Sequence, residues 1–229
     1  RVPVIRGVYM EAENPHSIDG SMPFDICLLN TIAVANSGLI KEYSDIDIRV
    51  KSLMITVKHW AKHFSIHSAQ DHYLSSYTWM NLVIFYLQCI DFVPNLQCPD
   101  LMERVGFEPD PTNNDKHNIN SLNTAYMAWT GQVENYWTRS DKVDETYESV
   151  TTLLHGFFSF YSHEFPVHLY MISIKRGPQN LLPKTMFSDR SSLYLCIEDP
   201  FETYDSHFPH DLGAPVDEKG SIMILRCFH

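Results

Sequence analysis

The chain has 229 residues, of which 44% are hydrophobic and 13% aromatic, and a formal net charge of −11. That composition belongs to a folded globular protein with a substantial core and excludes a disordered tail or low-complexity linker. The negative charge excludes an all-over basic coat for nucleic acid, so any such contact has to come from a local basic cleft.

Val2 to Ile5 and Pro23 to Leu29 read as two short apolar strands joined by a Gly/Asn/Pro/Ser-rich connection. Thr31 to Tyr43 predicts a helix with Ile32, Ala35, Leu39 and Tyr43 on one face. A stronger helix follows from about Asp47 to Phe64, where Val50, Leu53, Met54, Val57, Trp60, Ala61 and Phe64 form a buried stripe. Ser75 or Ser76 can cap the next helix, Tyr77 to about Gln88, which is apolar nearly all round and therefore central. Cys98 to Asn123, rich in Pro, Asn and Asp, predicts a long surface loop. Asp144 to His163 predicts another helix. Val167 to Ile174, Leu193 to Ile197 and Ile222 to Cys227 predict short strands.

The most apolar run, Leu82 to Val93, is interrupted by Gln88 and Asp91 and is too short to cross a bilayer, so no membrane is expected. Arg1-Val2-Pro3-Val4-Ile5 lacks the apolar core of a secretory signal. Five scattered cysteines without a CxxC pair point to a reduced intracellular compartment.

Several residues carry chemistry. Asp25 lies between apolar neighbours in a strand, where alternation turns it to the face opposite Phe24 and Ile26, and such a carboxylate can hold Mg²⁺ or simply be solvated. Lys58 and Lys62 stand one helical turn apart, off the apolar stripe, an arrangement suited to a triphosphate as well as to an ordinary solvated surface. His59 and His63 share that spacing, but no third metal ligand lies nearby. Leu74-Ser75-Ser76-Tyr77 opens a helix whose free N–H groups favour phosphate and whose ring can stack a base. Ile197-Glu198-Asp199-Pro200-Phe201-Glu202 reads as a rigid acidic turn.

Taken in order, Asp25, Asn36-Ser37, the Lys58-to-Lys62 segment, Ser75-Ser76-Tyr77 and Glu198-Asp199-Pro200-Phe201 resemble the noncanonical poly(A) polymerase and terminal uridylyltransferase family. So do Leu154-His155-Gly156-Phe157-Phe158 and Tyr161-Ser162, and the resemblance runs from about Val2 to Val216. It implies an α+β fold: part of a mixed nucleotidyltransferase sheet in residues 1–30, then a mainly helical poly(A)-polymerase-associated domain in 31–229. A nucleotide-recognition loop is expected near 197–216. It implies an RNA 3′-terminal nucleotidyltransferase working in the cytoplasm, or alternatively the mitochondrion. The expected partners are an RNA 3′ end and UTP or ATP, with Mg²⁺ in a two-metal site and Mn²⁺ able to substitute.

By resemblance, Asp25 is the third of three catalytic carboxylates and a metal ligand. Asn36 and Ser37 contact the nucleotide sugar. Lys58, Lys62 and Ser76 hold the triphosphate, Tyr77 stacks the base, and Asp199 and Glu202 lie near it. A histidine after the acidic turn selects uracil in uridylyltransferases. His210, in His210-Asp211-Leu212-Gly213, matches that position better than His207, so UTP is expected over ATP.

The sequence departs from the family pattern in a missing segment and at two substituted positions. The family's first two carboxylates lie in a Gly-Ser turn and an Asp-x-Asp strand ahead of the third, and no such segment precedes Asp25 here. The Asp45-Ile46-Asp47 run falls at a helix start and reads as capping. Thr78 replaces a glycine and Ala214 an arginine. The chain is therefore expected to need an upstream segment or a second chain for activity. The competing reading is a catalytically inactive, polymerase-like subunit that acts as a scaffold or binds RNA.

Overall fold

The computed structural model describes residues 4–10, 21–28, 30–107, 118–119, 122–186, 195–205 and 208–229. Strands β1 (Val4–Met10) and β2 (Ser21–Cys27) come first, followed by helices α1 (Thr31–Ile46), α2 (Ile48–His63), α3 (Ser76–Cys89) and α4 (Pro99–Arg104). A short pairing of β3 (Asn118–Ile119) with β4 (Leu122–Asn123) precedes α5 (Gly131–Tyr136), α6 (Asp141–Thr146) and α7 (Val150–Ser159). Strands β5 (Glu198–Asp205) and β6 (Phe208–Asp211) lead into α8 (Glu218–Cys227). The architecture is α+β, and the sheets among the described residues are three antiparallel pairs, β1–β2, β3–β4 and β5–β6.

Helix α3 is the centre of the core. The Ser75 side chain accepts from the Thr78 amide and starts the helix, and every residue from Asn81 to Gln88 is buried. A helix with no polar face has to be covered on all sides. Leu53, Val57 and Ala61 of α2 and Leu153 and Phe157 of α7 belong to the same continuous core. Trp60 of α2 lies 5.4 Å from Trp79 and 4.8 Å from Phe158, and Tyr86 lies 5.9 Å from Phe157. Full burial of each such ring contributes about 2–3 kcal/mol. A Cβ at Gly156 would lie 2.1 Å from the Tyr86 hydroxyl, so glycine in Leu154-His155-Gly156-Phe157-Phe158 lets α7 approach α3 closely.

Several buried donors find partners inside this core. Trp79 Nε1 donates to the Ile66 carbonyl and the Tyr161 hydroxyl to the Leu82 carbonyl. Gln88 Nε2 donates to the Tyr43 hydroxyl and the Ile174 carbonyl.

The β1–β2 hairpin is different. Ile5, Val8, Tyr9 and Ile26 are between 47% and 59% exposed, so both faces of the hairpin are uncovered by the described residues. A two-stranded ribbon gains little stability alone.

Several elements differ from the sequence reading. The expected mixed sheet is represented here by this antiparallel hairpin. Val167 to Ile174 forms turns with two isolated bridges, Tyr170 to Pro183 and Ile172 to Ile197. Ile222 to Cys227 is helical, because Asp217 caps α8 by accepting from the Gly220 amide and a short apolar run cannot itself choose between helix and strand. Asp144 to His163 is broken, since Ser149 accepts from the Thr152 amide and begins a new helix. A π-type turn, Phe160–Glu164, then extends α7. Within the expected loop Cys98 to Asn123, Pro99 starts α4, while residues 108–117 and 120–121 lie outside the described set, as do Leu193 and Tyr194 of the expected strand.

Asp47 does cap α2, and it does more than cap. It accepts from the Arg49 amide and pairs with Arg49 at 2.6 Å and Arg139 at 2.9 Å; both arginines also reach Asp144, at 2.6 and 2.8 Å. The two guanidinium groups lie 4.8 and 3.7 Å from the centre of the Phe92 ring. Burial pushes the Asp47 carboxyl up, but Arg49 and Arg139 outweigh it and hold it at about 2. The stability this carboxylate contributes is complete above its unfolded value of about 3.9 and is lost as pH falls through about 2. Arg139→Met removes one of its two basic partners and should cost about 3 kcal/mol, read as a lower urea midpoint at unchanged slope.

Candidate functional site

The first turn of α3 meets α1 through a side-chain bond: the Tyr77 hydroxyl donates to Asn36 Oδ1 at 3.0 Å. Asn81 Nδ2, one turn further on, donates to the Tyr77 carbonyl. Thr78, in the place of a glycine, is buried, and its hydroxyl lies 2.8 Å from Ser75 Oγ, reinforcing the cap. Ser76 is half-buried in the first turn, where helical N–H groups lack intrahelical acceptors. The Ser37 hydroxyl donates to the Ala33 carbonyl. Lys58 and Lys62 are exposed on α2 on either side of Trp60, and the contact of that ring with Trp79 puts the last turns of α2 beside the first turn of α3.

The acidic segment is part of strand β5, paired with β6 as a hairpin, rather than the free turn its Pro and charges suggest. Two of its carboxylates serve internal roles. Glu198 takes both Nε and Nη2 of Arg176, at 2.9 and 3.1 Å, and accepts from the Ser173 hydroxyl. Asp199 is buried; its Oδ1 accepts from the Phe201 amide at 2.9 Å, and its Oδ2 lies 3.6 Å from His210 Nδ1. The Glu202 side chain and the whole of His207 lie outside the described residues.

Asp211 Oδ1 accepts from the Ile197 and Gly213 amides at 2.9 and 2.8 Å. Burial pushes its carboxyl up, and those two amides oppose that. A Cβ at Gly213 would lie 1.9 Å from the Leu195 carbonyl oxygen, which accounts for the glycine of His210-Asp211-Leu212-Gly213. Beyond it the chain packs on the loop leading to Ser75: His72 Nδ1 is 3.4 Å from the Pro215 carbonyl, and a Cβ at Gly220 would lie 2.4 Å from the His72 carbonyl. Asn36 and Tyr77 are thus bonded directly, and Asp199 and His210 form a second pair.

Arg176 and Gln97 were not singled out in the sequence. Gln97 Nε2 lies 3.4 Å from both the Ala125 and Pro200 carbonyls, tying two remote segments together. Their partners lie far away in the chain, so no local spacing marks either residue.

Asp25 sits opposite Arg6 in the hairpin register, with Arg6 Nε 3.7 Å from Asp25 Oδ2 and both side chains more than half exposed. Among the described residues no group of three or more His, Cys, Asp or Glu is placed to hold a metal ion. A two-metal site needs several carboxylates. Asp25 can supply one oxygen ligand, and the described residues alone do not make up such a site. No helix among them is long and apolar enough to cross a membrane.

Residues 149–204 match the family model described as Cid1 family poly A polymerase. A crystal structure of the Cid1 poly(U) polymerase with MgGTP bound aligns with a TM-score of 0.71 at 28% identity, over 99% of this chain and 62% of that one. The chain belongs to the Cid1-type poly(A) polymerase and terminal uridylyltransferase family. Terminal uridylyltransferase 7 of Homo sapiens is 31% identical over 228 residues, the whole of this chain and 14% of the human protein. Poly(A) RNA polymerase GLD2 of Rattus norvegicus is 27% identical over 181 residues, 78% of this chain and 33% of its own length. The chain thus spans a minor part of these two curated relatives.

In this Cid1-type chain the β5–β6 hairpin depends on Gly213. Gly213→Ala should lower stability by about 1–3 kcal/mol, the usual cost of overpacking against atoms that cannot move, and urea unfolding measures it. Unchanged stability would mean that the Leu195 backbone yields.

Proposed function

We propose that this chain is the nucleotide-holding part of an RNA 3′-terminal nucleotidyltransferase that adds uridylyl residues in preference to adenylyl. The observation that carries the reading is the Tyr77–Asn36 bond at the start of α3, whose first turn also meets, through Trp79, the ring of Trp60 in the part of α2 that bears the two exposed lysines. Residues 1–30 form the end of the catalytic domain, and the two open apolar faces of their hairpin suit a covering element from outside these residues. Residues 31–229 form the helical domain, in which 197–216 reads the base.

In this reading the triphosphate lies on Lys58, Lys62 and the first-turn amides at Ser76. The base stacks on the Tyr77 ring, which Asn36 holds at its hydroxyl, and the Asn36 amide nitrogen can donate to a ribose hydroxyl. Ser37 lies beside that sugar. Asp199 orients His210, whose ring N–H donates to uracil O4; adenine offers an amino donor there instead. Glu202 is the second acidic residue assigned to the base by resemblance. The chain's contribution is to place the nucleotide and neutralise its charge. Mg²⁺ chemistry requires acidic ligands beyond Asp25, so residues 1–229 alone should not extend RNA. The free cysteines suit a reducing compartment, and we place the protein in the cytoplasm.

The single carboxylate favours one other reading, a polymerase-like subunit that binds RNA without catalysis. Incubating the full native chain with a synthetic RNA, Mg²⁺ and each nucleoside triphosphate in turn separates the two. Extension of the 3′ end, strongest with UTP, supports the transferase. RNA binding without extension by any nucleotide supports the subunit.

Lys58→Ala and Lys62→Ala should each raise the KM about tenfold for all four nucleotides alike, the worth of one charge-assisted contact. An effect on one base alone would remove both lysines from the phosphate site. His210→Asn should shift the UTP-to-ATP ratio toward ATP by about 1–3 kcal/mol, as one polar base contact does. If the ratio moves only in His207→Asn, the base-reading role passes to that residue.

A further inference from the structure

Tyr126 occupies a segment without regular secondary structure, Thr124 to Thr130, that carries no motif and directly follows β4. Several bonds hold this segment at both sides. The Met127 amide donates to the Leu96 carbonyl at 2.8 Å, and the Trp129 amide donates to Glu42 Oε2 of α1 at 2.7 Å. Gln97 joins the carbonyl of Ala125 to that of Pro200 in β5. Between these anchors the Tyr126 ring lies 6.0 Å from the ring of Phe201, two residues beyond Asp199. Its hydroxyl reaches α1 at Gly38: a Cβ there would lie 2.2 Å from the phenol oxygen and 3.3 Å from Cζ. Gly38 directly follows Asn36-Ser37.

Glycine inside a helix costs roughly 1 kcal/mol relative to alanine. Here it clears the space that the Tyr126 hydroxyl fills. Burial pushes the Tyr126 phenol up, so the group is neutral across the ordinary working range.

We infer that Tyr126 is a positioning residue of the nucleotide site, a spacer seated on Gly38 that sets the distance between the Asn36–Tyr77 pair on one side and the Asp199–His210 pair on the other. The inference rests on the nucleotide-site reading above. Tyr126 need not touch the nucleotide. It fixes α1 against β5, so the sugar-side and base-side groups face one ligand at one separation. A shift of even a fraction of an ångström between them degrades nucleotide capture, because both pairs have to engage the same rigid base and sugar.

The test is a double-mutant cycle in the full native chain, read by the KM and kcat for UTP and by thermal melting. Gly38→Ala should raise the KM about tenfold, because the new methyl group displaces the hydroxyl and with it the spacer. Gly38→Ala combined with Tyr126→Phe should return the KM to within about threefold of wild type, since the ring stays against Phe201 and only the overlapping oxygen is gone. Tyr126→Ala should raise the KM with little change in kcat. A merely structural role would move the melting temperature in these variants and leave the KM alone, and that result overturns the inference. So does a raised KM in Gly38→Ala that Tyr126→Phe fails to restore. A wild-type chain that neither binds nor adds UTP instead sinks the nucleotide-site reading itself, and the spacer role with it.

Discussion

Burying α3 on every side constrains the rest of the helical region. Asn81 to Gln88 offer no face to water, so α1, α2, α7 and the 165–174 segment have to supply cover and hydrogen-bond partners at once. Tyr43, Ile174, Ile66 and Tyr161 meet the polar atoms of α3 and its neighbours from four separate stretches of chain. Glycine at 156 is part of the same constraint, because α7 can close over Tyr86 only without a side chain there. Once its flanks are sealed, α3 keeps a half-buried first turn at its N-terminal end. That end carries Ser76 and Tyr77.

The charged residues divide between those that hold the fold and those left exposed. Asp47, Asp144, Arg49 and Arg139 neutralise one another around Phe92 and join the start of α2 to the α5–α6 connection. Glu198 is consumed by Arg176, and Asp211 by two backbone amides. Lys58 and Lys62 remain exposed. A protein with a net charge of −11 therefore still leaves two lysines, one helical turn apart, open to solvent on α2.

On the function proposed above, holding a nucleotide and performing chemistry on it are separable tasks. The residues that α1, α3 and the β5–β6 hairpin contribute are Asn36 with Tyr77 and Asp199 with His210. The carboxylate suited to metal, Asp25, lies apart on an exposed hairpin against Arg6. The helical part can organise a binding cleft by its own packing. A metal centre depends on bringing further carboxylates up to β2.

The sequence alone determined the helices α1 to α3 and the all-round burial of α3, because three- and four-residue apolar spacing and a serine cap are local signals that tertiary packing here reinforces. The order of the family motifs was equally legible, since each motif is a short run of residues. Only the tertiary structure decided that Ile222 to Cys227 is helical, because a short apolar run fits either periodicity and the cap at Asp217 breaks the tie. It decided too that Glu198 and Asp199 are buried and occupied, because their partners Arg176 and His210 lie 22 and 11 residues away, and the same letters on a surface would read alike. The seat of Tyr126 on Gly38 was invisible for the same reason. A glycine in a helix and a tyrosine in a loop are unremarkable apart, and only the packing of remote segments turns them into one contact.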